Sequence, residues 1–299
     1  MWRNAPALLY AARMQSSVTP KMLVAAFYRF SPLPQPEALA SDLRALGTEL
    51  NVLGSIILAP EGMNGTIAGH PHAVEAILAR LRREPGFAPL TPRLHEAPRK
   101  PFGRWKVKVK PEIVTMGVEG IDALNGAGTH VPPADWNALI SDPDTILIDA
   151  RNDYEVAIGH FEGAIDPETA SFGDFPAWFD AQMEAWKAQG RKPRIAMYCT
   201  GGIRCEKSTA LARARGFDEV YHLKGGILAY LAETAEEDSL WRGECFLFDE
   251  RVSITHGERI GDAHLCAGCG QPLTAESVSE CARCAAVGEP RASGAGLRA

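Results

Sequence analysis

One cysteine of the seven in this chain stands where a thiol works as a nucleophile. Cys199 follows directly on the apolar run Ile195, Ala196, Met197, Tyr198. It leads into Thr200, Gly201, Gly202, Ile203, Arg204 and Cys205, after which a good helix sequence begins. A strand, a tight glycine-bearing loop and a helix turn successive backbone N–H groups toward one point at the positive helix end. A thiolate there is stabilised, because helix N-termini and nearby cations draw a cysteine pKa down from its usual ~8.5 toward neutrality. A lone cysteine at a strand end is ordinarily an inert core residue; the loop is what marks Cys199 as reactive. Cys205 either begins the helix or resolves an oxidised Cys199 as a disulfide.

Four further cysteines form two pairs, Cys266 with Cys269 and Cys281 with Cys284, separated by eleven residues. Four thiolates in paired knuckles make a tetrahedral zinc arrangement, although this connector is shorter than usual. A structural zinc would let so short a segment fold; free thiols or a redox pair are the alternative. Cys245 has no evident role. Scattered thiols beside two such pairs suit a reducing compartment, and the cytoplasm is the expected location. The sequence shows no flavin, haem or nicotinamide motif and no facial triad of histidines and carboxylate.

The net charge of −6 hides an asymmetry: residues 1–130 carry +5 and residues 131–299 carry −11. A positive front half on an acidic chain suggests a polyanionic partner. Arg99, Lys100, Arg104, Lys106, Lys108 and Lys110 occur within twelve residues without an acid. On a strand, the period of two puts Arg104, Lys106, Lys108 and Lys110 on one face and Val107 and Val109 on the other. Such a row tracks phosphates, with Phe102 or Trp105 available to stack on an unpaired base. The alternative is a solvated strand that protects a sheet edge.

The elements that must position these residues fall into two grammars. Residues 23–30, 55–58, 66–68, 92–95 and 105–114 read as strands, with helices over 36–50 and 72–83. That β-α-β-β-α-β order predicts a ferredoxin-like α+β domain over 22–117. Glu61, Gly62, Met63, Asn64 and Gly65 are expected to turn between two strands, since Asn-Gly is a hairpin signal. Glu61 and Asn64 are also candidates to touch RNA.

Beyond a Gly-rich linker at 125–129, the nearly all-apolar strands 145–149 and 194–198, a further strand at 219–223 and helices over 176–189 and 206–215 suit a parallel sheet covered on both faces. This predicts an α/β domain over 132–240. Residues 241–287 form a small Cys-rich tail. Residues 1–21, with Arg3 and Arg13 and no acid, read as a disordered leader, a targeting segment, or sequence ahead of a start at Met14 or Met22. Residues 288–299 are expected to be disordered. No apolar run approaches the ~18 residues of a membrane span.

Several motifs in order resemble the rhodanese domain pattern: Asp149, Ala150, Arg151, Glu155, Gly159, His160, Gly163 and Ala164, then the Cys199 loop, then Leu223, Lys224, Gly225, Gly226 and Tyr230. The resemblance implies that Asp149 and Arg151 support the loop as an ion pair or as hydrogen-bonding partners; a plain solvated pair is the alternative. The dual-specificity phosphatases related to cell-cycle control share this scaffold, but their loop needs arginine at the sixth place after cysteine. Here that place is Cys205 and Arg204 comes one early, which disfavours a phosphate clamp.

The likeness extends to the run from Glu61 to Thr66, to Arg99, Lys100, Pro101 and Phe102, to Lys106 through Lys110, to Glu112 through Gly117, and to Glu206 and Lys207 behind the loop. Together, over about residues 23–284, these resemble the bacterial tRNA uridine(34) hydroxylases. That resemblance implies an oxidoreductase that uses molecular oxygen to make 5-hydroxyuridine at the wobble position, with the tRNA anticodon loop as partner. A sulfurtransferase carrying a Cys199 persulfide, and a non-catalytic RNA-binding adaptor, are the rival readings.

Overall fold

The computed structural model describes residues 22–97, 99–276, Cys281 and Cys284. The leader expected over 1–21 and the disordered end expected over 288–299 lie outside these residues.

The first unit begins β1 (Met22–Phe30), α1 (Pro36–Glu49), β2 (Leu53–Ala59), β3 (Gly62–Gly69), α2 (Pro71–Arg82), β4 (Arg93–Ala97). Each helix opens on a proline, whose missing N–H costs nothing in the first turn. The sheet order is β4-β1-β3-β2 with antiparallel neighbours, the ferredoxin-like arrangement. A fifth strand, β5 (Trp105–Val109), adds to the β2 edge in parallel. It stops well short of the expected residue 114: Lys110 makes the last bond to Leu58, and Pro111 has no N–H to continue the ladder.

Leu39, Leu43, Val74, Ile77 and Leu81 recur at helical spacing and pack on Ala25, Phe27, Ile56, Leu58, Met63 and Ile67. Alternation puts Ala26, Tyr28, Ser55, Ile57, Asn64 and Thr66 on the opposite, helix-free face. The turn expected across residues 61–65 is shorter than that, with Pro60 and Glu61 alone linking β2 to β3. Asn64 and Gly65 lie inside the strand instead, opposite Ile57 and Ile56. Gly65 is fixed there by packing, since a Cβ would stand 2.9 Å from the Phe27 ring.

The second unit runs α3 (Ala123–Gly126), β6 (Thr129–Val131), α4 (Pro133–Ile140), β7 (Thr145–Asp149), α5 (Asp153–Val156), β8 (Gly159–Phe161), α6 (Phe175–Ala188), β9 (Arg194–Tyr198), α7 (Ile203–Ala214), β10 (Val220–Leu223) and α8 (Gly226–Glu233). Its parallel sheet has the order β6-β10-β9-β7. Ile195 and Met197 of β9 face Phe175, Phe179 and Leu211 of α6 and α7, whereas Ala196 and Tyr198 face Trp136, Ile227 and Leu231 of α4 and α8. Burial on both faces explains why these strands read as unbroken apolar runs.

The Gly-rich stretch at 125–129 is ordered. Asp122 caps α3, Gly128 donates to Thr209 Oγ1, and a Cβ at Gly128 would meet the Val220 carbonyl at 2.6 Å. Beyond the second unit, β11 (Trp241–Gly243) pairs with β8, and β12 (Cys245–Phe246) pairs with β13 (Ser253–Ile254). A last hairpin joins β14 (His264–Leu265) to β15 (Pro272–Leu273). Trp241 and Cys245 are buried against Tyr198, Phe161 and Tyr230, so the start of the tail completes the second unit's core. Among the described residues no helix is long and apolar enough to cross a membrane.

Charged groups lock the two units together. Lys207 of α7, its side chain 3 % exposed, sits between Glu61 at 2.8 Å and Glu112 at 2.5 Å. Glu61 also accepts from the Ile113 N–H, and Asn64 donates to the Ile113 carbonyl. These two residues, candidates for RNA contact from sequence, hold the crossing between units. Lys207→Ala leaves two adjacent carboxylates without their cation. Both keep some solvent exposure, so the expected cost is about 2 kcal/mol rather than the ~3–5 of a fully buried pair. Urea denaturation should show this as a lower midpoint.

Candidate active site

β9 delivers Cys199 to the mouth of the parallel sheet, and the chain turns through Thr200, Gly201 and Gly202 into α7. Gly202 adopts φ +98, which opens the turn, and its N–H donates to Cys199 Sγ at 3.2 Å. The carbonyl side of the loop is held as well: Ile227 and Leu228 N–H groups of α8 bond the Cys199 and Thr200 carbonyls. That approach needs the left-handed glycine at 226, where a Cβ would lie 2.5 Å from both oxygens.

Burial pushes the Cys199 thiol up, but the Cys205 thiol, the Arg204 charge and the backbone N–H groups of Cys205 and Arg204 outweigh it and bring the pKa down to about 6. Cys205 moves the opposite way, raised by burial and by the neighbouring Cys199 sulfur. One sulfur is a thiolate at neutral pH and its neighbour is a thiol donor.

Arg204 turns away from the loop's interior. It makes a bidentate pair with Glu155 at 2.6 and 2.7 Å, and the Thr200 hydroxyl donates to the same carboxylate at 3.1 Å. Asn152 N–H adds a third donor at the start of α5. Behind this pair, Arg151 bonds Asp149 at 2.6 Å and donates to the Glu155 and Gly159 carbonyls, all fully buried. Its guanidinium lies over the Tyr198 and Trp241 rings. The chain around the loop is thus pinned by two nested arginine–carboxylate pairs.

The Cys199 loop opens on a cavity of about 1120 Å³. Its far wall is the helix-free face of the first sheet, including Ala26, Tyr28, Ile57 and Thr66, and its rim includes Phe248 and Arg251 of the tail. Lys106 and Lys108 stand opposite Ser55 and Ile57 in the β5–β2 ladder, so they share that face, and Lys110 lines the cavity. Partial desolvation and the charges of Arg104 and Lys108 lower the pKa of Lys106. Arg99, Lys100 and Arg104 are exposed on the segment leading into β5. Trp105 is not available for stacking. The same period of two that aligns the lysines turns it toward α1, against Gly47. Phe102 is half-buried on Val24 and Ala68, with an edge on the cavity.

In the tail, the sulfurs of Cys266, Cys269, Cys281 and Cys284 lie within 4.8 Å of one another, with Cys266 to Cys284 at 3.8 Å and Cys269 to Cys281 at 3.4 Å. Four sulfurs ~2.3 Å from a zinc ion stand about 3.8 Å apart, so the set fits that ion. The β14–β15 hairpin supplies the knuckle, with Cys266 N–H bonded to Gln271 and Gly270 in the left-handed region.

Sequence reasoning missed a further group beside the loop. The Tyr28 hydroxyl bonds Glu206 at 2.9 Å, and His130 and His222 flank the same carboxylate. Nothing in the spacing of residues 28, 130, 206 and 222 signals this; strand pairing and domain docking bring them together.

A parallel sheet that feeds a strand into a cysteine loop, with an Asp–Arg pair behind it and a double glycine in front, is that of a rhodanese-like domain. Residues 132–233 match the family model of that description, and residues 22–113 match the UPF0176 acylphosphatase like domain. The tRNA uridine(34) hydroxylase of Gluconobacter oxydans is 56% identical over 250 residues, covering 84% of this chain and 80% of that one. That of Caulobacter vibrioides is 57% identical over 255 residues, 84% and 80% of the two chains. That of Brucella anthropi is 51% identical over 253 residues, 85% and 82%. The chain belongs to the tRNA uridine(34) hydroxylase family.

Two outcomes follow from the sulfur chemistry. Iodoacetamide should alkylate Cys199 at a rate that rises with pH through a midpoint near 6 and levels about one unit above it, where nearly all of the thiol is ionised. In Arg204→Met, which removes a stabilising charge, the levelling should shift to higher pH. Elemental analysis should find about one zinc per chain, lost when Cys281 and Cys284 become serine. Metal-free protein with an unaltered circular dichroism spectrum would remove the zinc assignment.

Proposed function

We propose that the protein hydroxylates the wobble uridine, position 34, of tRNA to 5-hydroxyuridine, with molecular oxygen as co-substrate and Cys199 as the reactive thiolate. The observation that carries this reading is the shared cavity: a lowered-pKa thiolate on one wall faces a sheet edged by Lys106, Lys108 and Lys110 on the other. The family's relatives bear the name of this activity. A polyanion held along β5, with Arg99, Lys100 and Arg104 at the approach, places an unstacked base of the anticodon loop in the cavity. The cytoplasm, where tRNA is modified, is the compartment this implies.

In the chemistry we infer, Cys199 Sγ bonds to uracil C6 and the displaced electron pair makes an enolate across C5 and O4. The enolate attacks an oxygen atom derived from dioxygen, C5 loses its proton, and the C6–S bond breaks to restore the ring and the thiolate. The second oxygen atom takes up two electrons and two protons from a cellular reductant and leaves as water. The roles of Thr200, Gly201, Gly202, Ile203 and Cys205 are to shape and polarise the thiolate's surroundings, while Asp149, Arg151, Arg204 and Glu155 keep the loop's form. The zinc we propose at Cys266, Cys269, Cys281 and Cys284 is structural and orders the tail at the cavity rim.

Charge reversal of Lys106, Lys108 and Lys110 to glutamate should weaken tRNA binding strongly and flatten its dependence on salt, since fewer counterions are released. Cys199→Ala should bind tRNA normally, while cells relying on it lack 5-hydroxyuridine at the wobble position. In the unaltered strain, labelled dioxygen should place its atom at C5. Intact 5-hydroxyuridine beside missing thiolated nucleosides in the Cys199→Ala strain would replace this reading with the sulfurtransferase.

A further inference from the structure

We propose that His130, Glu206 and His222 form a divalent-metal site, with ferrous iron as its ion, on the side of α7 that faces the first unit. The three residues were unconnected in the sequence, which showed no facial triad. Pairing of β6 with β10 sets His130 and His222 directly opposite each other, with ring centroids 4.0 Å apart. Glu206, in the first turn of α7, enters between them: His130 Nε2 lies 2.9 Å from Oε1, and His222 Nε2 lies 3.9 Å from Oε2.

One ligand atom from each residue lies within 4.8 Å of the other two. Three ligands on one face of an ion, each ~2.1 Å from it, stand about 3.0 Å apart; His130 and Glu206 already meet that spacing, and rotation of side chains by about 1 to 2 Å brings His222 to it. Two histidines and one carboxylate leave the remaining coordination positions open, the arrangement of non-haem ferrous oxygenases.

A plain hydrogen-bonded cluster does not account for His222. Its residue exposure is 1 %, yet neither ring nitrogen completes a hydrogen bond. Burying an imidazole without a partner is costly, and native structures rarely do it without an ion, a water or a chemical role. The Gly128 carbonyl stands near enough to favour a ring N–H, which leaves the other nitrogen's lone pair for a metal. Glu206 is oriented by the Tyr28 hydroxyl, and Tyr28 in turn covers Gly202, where a Cβ would meet its oxygen at 2.9 Å. His130 is the open side of the group; it and Tyr28 line the same cavity as Cys199. A ligand on the ion's free positions therefore reaches the space in which the thiolate works. Assigning that ligand as dioxygen rests on the hydroxylase reading; the metal site itself does not.

The test uses the full chain with about one zinc already bound by the tail thiolates. Ferrous iron is then added without oxygen, and bound iron is measured by elemental analysis. About one iron per chain is expected, and nitric oxide should give the half-integer high-spin resonance of a ferrous nitrosyl with an open position. His130→Ala, at a partly exposed residue, and Glu206→Gln, which keeps the hydrogen bond to Tyr28, should each weaken iron binding at least ~10-fold. Both should retain the circular dichroism of the parent. No iron beyond the zinc site, or iron undiminished in both variants, overturns the metal site. If iron fails to bind while the parent strain's tRNA carries 5-hydroxyuridine, the metal proposal falls and the hydroxylase reading stands. If iron is lost in the variants but their cells still make 5-hydroxyuridine, the site stands and its assignment to dioxygen falls.

Discussion

The bidentate pair between Arg204 and Glu155 is the contact on which the site's geometry turns. A buried ion pair contributes little net stability, because desolvating both ions offsets most of their attraction. What it supplies here is direction. Glu155 gathers the Arg204 guanidinium, the Thr200 hydroxyl and the Asn152 N–H, and so draws the loop's flank down onto α5. The guanidinium is thereby used up on the protein's own carboxylate. Its charge still favours a thiolate at Cys199, but it is not presented as an anion clamp. The early arrival of the arginine, one place short of a phosphatase loop's spacing, is thus matched in the structure by a partner outside the loop.

From that fixed turn, α7 distributes its polar residues in three directions. Arg204 points into its own domain, Glu206 into the seam with Tyr28, His130 and His222, and Lys207 into the first unit's carboxylates. All three are nearly inaccessible to solvent. The helix therefore acts as the axle between the sheet edged by lysines and the loop that carries Cys199. The cavity between them is a product of docking, since neither unit encloses it alone.

Much of this was readable in the sequence, and the reasons are local. The β9 strand, the glycines and the helix behind Cys199 announce themselves because backbone geometry and residue type coincide over a few positions. Strands 145–149 and 194–198 were legible to the residue because both faces are covered. The β2–β3 turn was misplaced because Asn-Gly is a turn signal only when nothing packs on the glycine, and here Phe27 does. Trp105 was misjudged for stacking although the period of two already placed it opposite the lysines. The His130, Glu206 and His222 group could not be read at all: its members meet through the register of β6 on β10 and the packing of α7 beside them, which leave no trace in spacing. The partners of Lys207 were invisible for the same reason.

The Lys207 bridge also makes the joint between the units selective. Its ammonium meets carboxylates only in the one docking that brings Glu61 and Glu112 over α7. Any other surface laid on this face of the helix would bury an amine without a counter-charge, at a cost of several kcal/mol. The contact therefore works as a key more than as a weld: it adds little to the strength of the joint and admits a single fit.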